Sequence, residues 1–351
     1  MATAIGLDIG SSAVRAIQLS RRKDVVTLDR LGQVVLPAQA VIDGEIRDPA
    51  AITEAIGILW DQFGFKSKKV ALGLANQHVI VRRVDLPHLD VPDMKESLRF
   101  QAQDYLPLPI EQIEFDYEYI EEFTHEDGST MMRVLFVAAE KHMVASVLDV
   151  AKAARLRPVA LDLDAFAAMR SLRTPLHGAE RFGAGDTSGE LIVDLGSQLT
   201  NLVVHSDGVP RFARIINIGG DDITESLVSA FGMEWQQAET LKSVTPGASS
   251  QYSTLLDDRI SWLVEEIRNS MTYYRAAPGA IDVQRVVLTG GSSLIPGIDE
   301  RISRALAAEA VTGKPFRGLH IGKDLTFTDD ELEAAQTFFA VAVGLAMRGL
   351  E

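Results

Sequence analysis

The chain has 351 residues, a formal net charge of −15 and no cysteine. That length suits two domains of roughly 100–200 residues each, with room for small insertions. The missing cysteines exclude disulfides, thiolate zinc sites and cysteine nucleophiles. The acidic balance argues against a nucleic-acid protein and against spontaneous adhesion to an anionic membrane, so any basic cluster must be local. Hydrophobic (46%) and charged (24%) fractions are those of a folded globular chain. Met1-Ala2-Thr3 runs directly into Ile5-Gly6-Leu7-Asp8-Ile9-Gly10, without the basic and apolar regions of a signal peptide. The longest apolar stretch, 338–347, falls short of the roughly 20 residues that span a bilayer and suits a buried helix.

In chain order, 5–9, 14–19 and 25–35 read as three short strands, separated by turns at 10–12 and 21–24. Residues 50–63 have helical spacing (Ile52, Ile56, Leu59, Trp60) and end near Gly64. Strand character returns at 69–74 and 79–84. From 88 to 157 the pattern changes. Pro92 can open a helix to about 105, an extended Leu106-Pro107-Leu108-Pro109 follows, and 115–120 and 131–138 make a hairpin before a helix at 141–154. This segment reads as an inserted α+β subdomain, and its acidic run 118–122 as a solvated face. A strand at 158–163 leads into a helix at 165–172, then a Gly-rich polar stretch at 174–189 that reads as a mobile loop. Strands at 191–194, 202–205 and 210–216 then repeat the opening of the chain about half a chain later.

Three motifs carry chemistry. In Gly6-Leu7-Asp8-Ile9-Gly10-Ser11-Ser12 a buried strand delivers Asp8 to a tight turn. The turn's N–H groups can converge on phosphate oxygens, and Asp8 can hold Mg²⁺, through water. Ile192-Val193-Asp194-Leu195-Gly196-Ser197-Gln198-Leu199-Thr200 repeats that chemistry, so that Asp8 and Asp194 would present two carboxylates to one metal. In Val286-Val287-Leu288-Thr289-Gly290-Gly291-Ser292-Ser293 a buried strand brings Gly290, Gly291 and Ser292 to a helix expected from about Pro296, suited to a flat base and phosphate. Each motif alone also fits a plain hairpin or a strand–turn–helix without a ligand. Thr312-Gly313-Lys314 fails as a P-loop because Ala308 holds the required first Gly position, Gly183-Ala184-Gly185 lacks a preceding strand, and the seven histidines show no metal-ligand spacing.

The order and spacing of the three motifs resemble the actin, Hsp70 and sugar-kinase superfamily. Asp8–Arg15, Leu161-Asp162-Leu163-Asp164-Ala165-Phe166-Ala167, Arg211-Phe212-Ala213-Arg214 and Ile218-Gly219-Gly220-Asp221-Asp222 narrow this to the FtsA/PilM branch and its type IV pilus assembly family. The resemblance implies an α/β, actin-like fold: two RNase-H-like halves around a nucleotide cleft, with ATP and Mg²⁺ as cofactors. It divides the chain into subdomain 1A (1–87), an inserted 1C-like subdomain (88–157), a return to 1A with a connector helix and loop (158–189), 2A (190–220), 2B (221–284), 2A again (285–330) and a C-terminal connector (331–351). The connectors are expected at 165–172 and 332–347. It also implies Arg15 at the phosphates and Glu239 and Lys242 lining the adenosine pocket, where their spacing equally fits a surface ion pair. Asp164 falls at the position that orients the attacking water, although a helix-start carboxylate can simply complement the dipole.

The function implied is a cytoplasmic, nucleotide-gated scaffold at the inner membrane, with slow or no intrinsic ATPase activity. Its partner would be the short cytoplasmic N-terminal peptide of a bitopic PilN-like membrane protein. Coupling to pilus assembly ATPases and self-association fit the same frame. An FtsA-like filament protein is the alternative, although an amphipathic anchor after the last connector is missing. A sugar or metabolite kinase is the other, although no base-bearing motif stands between the hairpins.

Overall fold

The structure, a computed structural model, describes residues 2–88, 94–173, 189–244 and 251–351. Pro92, the stretch 174–188 and Gly183-Ala184-Gly185 lie outside them. The first half opens as expected, with β1 (Ala2–Ile9), β2 (Ala13–Arg22) and β3 (Val25–Val35) in an antiparallel meander whose register pairs Asp8 with Arg15. A two-strand ribbon follows, β4 (Val41–Ile42) and β5 (Glu45–Ile46), then α1 (Pro49–Phe63). The Asp48 carboxylate accepts the N–H groups of Ala50 and Ala51 at the start of α1, and Gly64 ends it at φ +68°. Strand β6 (Lys69–Leu74) then pairs parallel with β1.

The next strand, β7 (Ile80–Pro87), leaves this sheet and joins the inserted segment. There α2 (Met94–Ala102) precedes the hairpin β8 (Ile113–Thr124) and β9 (Thr130–Glu140), and α3 (Lys141–Ala153) follows. The insertion's sheet has the order β7-β9-β8, which leaves β8 on an outer edge. Strand β10 (Arg157–Leu163) returns parallel to β6, also as an edge, and runs into α4 (Asp164–Leu172).

The second half repeats the first. Its meander is β11 (Gly189–Leu195), β12 (Thr200–Ser206) and β13 (Val209–Ile216). Helices α5 (Gly220–Phe231), α6 (Trp235–Lys242) and α7 (Ser253–Arg275) precede β14 (Val283–Thr289), α8 (Ile298–Leu306) and β15 (Glu309–Thr312). The order β13-β12-β11-β14-β15 matches β3-β2-β1-β6-β10, antiparallel meander and parallel additions alike. A short β16 (His320–Ile321) extends the first sheet beside β3. Strands β1, β6, β11, β12 and β14 are near-continuous buried runs because both sheet faces are covered there.

The halves meet on α4 and on the end of the chain. There α9 (Asp329–Ala335), a 3-10 turn (Gln336–Phe339) and α10 (Ala340–Leu350) replace the single connector expected over 332–347. Ala165, Ala168, Val341 and Leu345 join Ala71 of the first sheet with Ile192 and Val287 of the second in one buried cluster.

The acidic run 118–122 is not wholly solvated. Glu121 pairs with Arg133 and, at 3.2 Å, with Arg211 of β13, and these cations hold its carboxyl below the usual range despite partial burial. Arg133 also forks onto Asp85, while Arg83 donates to the carbonyls of Pro278 and Gly279. The insertion is thereby tied to the second half through charged and backbone groups.

Candidate functional site

Each hairpin turn is closed by its own backbone: Gly10 N–H donates to Ala13 O at 3.1 Å and Gly196 N–H to Leu199 O at 2.9 Å. The strand ends carry Asp8 and Asp194, both buried, and the start of α4 carries buried Asp164. The three carboxylates lie within one another's fields. Burial pushes Asp8 up to about 6, with Arg15, 3.9 Å away, opposing and Asp194 adding. Asp164 is raised well above the usual range by burial first, then by Asp8, Asp194 and Asp162. Asp194 is raised by burial, against a 3.0 Å hydrogen bond from Asn201 and the charge of Arg15. Such a cluster is destabilised until a cation or proton joins it.

The second hairpin is braced from behind. Gly196 O accepts from Gly220 N–H (3.1 Å) and from Ser292 Oγ (2.8 Å), and Ser197 O accepts from Asp221 N–H (2.7 Å). Gln198 reaches across to the first half, where its Oε1 accepts from Asp43 N–H at 3.0 Å. Thr200 is fully buried and its hydroxyl donates to Ile218 O at 2.7 Å, which makes it a brace of the turn. Gly290 sits at φ +82°, and a Cβ there would overlap Leu195 O and approach Asp194. This close approach of the third motif to the second requires glycine.

The third motif differs from expectation in one respect. A 3-10 turn, Gly291–Leu294, stands between the glycines and α8, which starts at Ile298, within two residues of the expected Pro296. The 3-10 turn at 336–339 meets the glycines: Thr337 O accepts from Gly290 N–H (3.0 Å) and Thr289 Oγ1 (2.9 Å). Phe338 packs against Gly291 and under the Arg15 guanidinium, 5.8 Å from its ring centroid.

Glu239 and Lys242 come to the same place. Lys242 Nζ, largely buried, donates to Glu239 Oε1 (2.7 Å), Thr224 Oγ1 (2.9 Å) and Gly220 O (3.1 Å), and Thr224 also donates to Glu239. A Cβ on Gly220 would meet both Ser292 Oγ and Lys242 Nζ. The pair is therefore a partly buried wall beside Gly290 and Gly291. Sequence reasoning did not single out Asn201, Asp43, Gly220, Thr224 or Phe338 for the site. The Gly219-Gly220-Asp221 start of α5 offered a signal, while the others depend on contacts far apart in the chain.

Among the described residues no group of three or more His, Cys, Asp or Glu has the arrangement of an all-protein metal cage. Mg²⁺ is commonly held by one or two carboxylates with waters and phosphate oxygens, and Asp8 and Asp194 meet that requirement. Two buried oxygens, Asp164 Oδ1 and Asn201 Oδ1, have no hydrogen-bond partner in the protein, which fits a polar or cationic occupant.

A second cleft, of about 410 Å³, lies between the insertion and the first half. Its apolar wall comes from Leu74, Val137, Leu161, Phe166 and Met169, and its rim carries Glu114, Asp116 and Glu118 of β8 opposite Arg170 and Arg173. The open edges of β8 and β10 both border it.

Comparison with known proteins adds four findings. The family model for type IV pilus assembly protein PilM matches residues 6–350. A solved PilM-PilN type IV pilus biogenesis complex is 26% identical, with TM-score 0.85, covering 99% of this chain and 98% of that one. The ethanolamine utilization protein EutJ from Carboxydothermus hydrogenoformans (14% identity, TM-score 0.55, 98% and 89% covered) and MreB5 of Spiroplasma citri bound to ADP (13%, 0.53, 98% and 95%) share the fold. The cell division protein FtsA of Rhizobium meliloti (strain 1021) is 25% identical over 181 residues, a match spanning 44% of this chain and 38% of that protein. The chain belongs to the type IV pilus assembly protein PilM family, an actin-like scaffold of the pilus assembly machinery.

Proposed function

We propose that the chain binds Mg·ATP between its two hairpins and uses the nucleotide to set the surface it offers to pilus assembly partners. The observation that carries this reading is the convergence of Asp8, Asp164 and Asp194, all buried, beside two glycine turns. Asp8 and Asp194 would hold Mg²⁺, which when bound neutralises phosphate charge. Gly10 and Gly196 close the two turns through their own N–H groups, so Ser11, Ser12 and Ser197 would offer theirs to the phosphates, and Arg15 lies alongside them. Gly290, Gly291, Glu239 and Lys242 would border the nucleoside. In this frame the subdomain divisions given above apply, with β7 counted in the insertion's sheet. The solved structures of MreB5 with ADP and with AMPPNP support a nucleotide in this fold. Calorimetric titration of the purified protein should give an Mg-dependent ATP affinity that is lost in EDTA. Folded protein that shows no ATP binding would sink the proposal.

Hydrolysis is expected to be slow. No base-bearing motif accompanies the two hairpins, and Asp164 is a candidate base by its position at the start of α4 alone. Turnover by the isolated protein should fall well below the ~10 s⁻¹ median of enzymes. Phosphate release at that median or above would contradict this.

The cleft beside β8 and β10 is proposed to take the extended cytoplasmic tail of a PilN-like membrane partner. Two open strand edges suit an added strand, the apolar wall suits a few anchors, and the acidic β8 rim suits a basic tail. The similar solved structure is of a complex with PilN. Among the described residues no helix is long and apolar enough to cross a membrane, and this partner would link the chain to the inner membrane. Leu161→Glu should lower affinity for a synthetic tail peptide at least ~10-fold while leaving the Mg·ATP titration unchanged. Unaltered peptide affinity would remove the cleft from consideration.

A further inference from the structure

The basic side chains of this acidic chain are not scattered. The β2–β3 turn contributes Arg21, Arg22 and Lys23. The run into β6 contributes Lys66, Lys68 and Lys69, and the α3–β10 connection contributes Lys152, Arg155 and Arg157. All are exposed. Strand register sets these connections side by side at one end of the first sheet, remote from Asp8. Ala2 faces Arg21 across β1 and β2, Arg157 faces Lys69 across β10 and β6, and Arg157 N–H donates to Lys68 O at 2.6 Å. Five adjacent strands, β10-β6-β1-β2-β3, spaced by about 4.8 Å make this end roughly 19 Å wide.

Most of these charges are unused within the fold. Among the described residues Arg22, Lys23, Lys66, Lys69, Arg155 and Arg157 make no ion pair and no side-chain hydrogen bond. The acidic side chains in these connections and the helix turns leading into them, Asp24, Asp61 and Asp149, are fewer, and Asp149 already pairs with Lys152. A chain with 49 acidic and 34 basic residues would present an acidic end if its charges were evenly mixed. None of the nine basic residues lines the cleft beside β8. A broad, largely unpaired basic face outside the apolar cleft fits a diffuse anionic surface better than a protein segment, which needs anchors.

We propose that this end of the first sheet is a docking face for anionic phospholipid headgroups, held by electrostatic adsorption without insertion. The net charge of −15 does not oppose it. With a Debye length of about 10 Å, headgroups at this face are screened from the carboxylates at the far ends of the strands. The face also orients the molecule. Arg157 and Leu161–Leu163 lie on one strand, so the cleft wall stands roughly 13–20 Å above the docking face at about 3.3 Å per residue. About five extended residues of a tail leaving the membrane beneath would reach it. This last step rests on reading the cleft as the seat of that tail; the lipid contact itself does not.

The test uses the full chain without peptide or nucleotide, in flotation with vesicles of neutral phosphatidylcholine alone or with about 30 mol% phosphatidylglycerol. Binding is expected only to the anionic vesicles, and to fall at least ~10-fold between about 0.05 M and 0.3 M salt. Arg155→Glu/Arg157→Glu and Lys66→Glu/Lys68→Glu/Lys69→Glu should each lose at least ~10-fold with unchanged melting temperature and Mg·ATP titration. Arg259→Glu/Arg304→Glu, an equal charge reversal on the second half, should float like the wild type. The proposal is overturned by absent flotation at low salt or by equal loss in the second-half variant. Retention on polyglutamate with no vesicle binding would also overturn it and give the face to an acidic protein. Failure in any of these ways leaves the tail-peptide titration of Leu161→Glu untouched, so the two readings fall separately.

Discussion

Replacing Asp8 by Asn is expected to weaken metal-dependent ATP binding at least ~100-fold while raising the stability of the folded protein at neutral pH. The two effects share a cause. Asp8 is buried beside Asp194, and its pKa rises from the ordinary 3.8 to about 6. A raised carboxylate pKa means that the fold holds its proton more tightly than the unfolded chain does. Below about pH 4 both states are protonated and Asp8 costs nothing. Between about 4 and 6 the unfolded chain ionises first, and stability falls as pH rises through that window. Above about 6 the cost is present in full, about 3 kcal/mol at about 1.4 kcal/mol per pH unit. Asn removes this cost but leaves Arg15 with less counter-charge, so the net gain should be smaller, a few degrees in Tm at pH 7 to 8. The gain should vanish by about pH 4. A neutral-pH Tm that drops, or an ATP affinity that stays, would refute the assignment of Asp8 as a strained metal ligand.

Much of this was legible in the sequence, for a physical reason. The two meanders announce themselves through short apolar strands punctuated by Gly10, Asp207-Gly208 and Gly196, because buried two-faced strands and tight turns leave local signatures. The duplicated Asp–turn pattern then carried Asp8 and Asp194 to the same site. What local pattern could not give were partners chosen at long range. Strand β7 reads as a continuation of the first half, yet its ladder is with β9 of the insertion. The run 332–347 has unbroken helical character, yet it tightens to a 3-10 turn at Gln336–Phe339, where Thr337 O takes up Gly290 N–H. Glu121 sits in an acidic run that looks solvated, and only the approach of β13 supplies Arg211. In each case the deciding contact joins residues dozens of positions apart.

Gly344→Val is expected to leave little folded protein, although Gly344 is itself none of the proposed nucleotide-site residues. Helix α10 is pressed between β1 and α4. A Cβ at Gly344 would overlap the carbonyl and Cα of Ala167, and one at Gly6 would overlap the α10 backbone at Ala342 and Ala346. These obstacles are backbone, so no rotamer change relieves them. The helix would have to lift, and with it Ala342, Val343, Leu345 and Ala346, which are buried on both sides. Lifting would also break the 3.2 Å bond from Arg170 to Gly344 O, while Arg170 keeps its 2.6 Å contact with Asp162. Overpacking with a flexible neighbour costs about 1–3 kcal/mol; a backbone collision at the joint between two sheets should exceed about 4 kcal/mol, a large share of a stability of roughly 5–15 kcal/mol. Gly344→Ala should already show most of this loss. Gly57 supplies the contrast. It lies exposed within α1 with open space around its Cβ position, so Gly57→Ala should stabilise by about 0.5–1 kcal/mol. Chemical denaturation of the three variants decides the matter. A Gly344→Ala protein within about 1 kcal/mol of the wild type would mean that α4 and α10 can slide apart at low cost, and that their crossing is not the rigid joint through which the halves are held together.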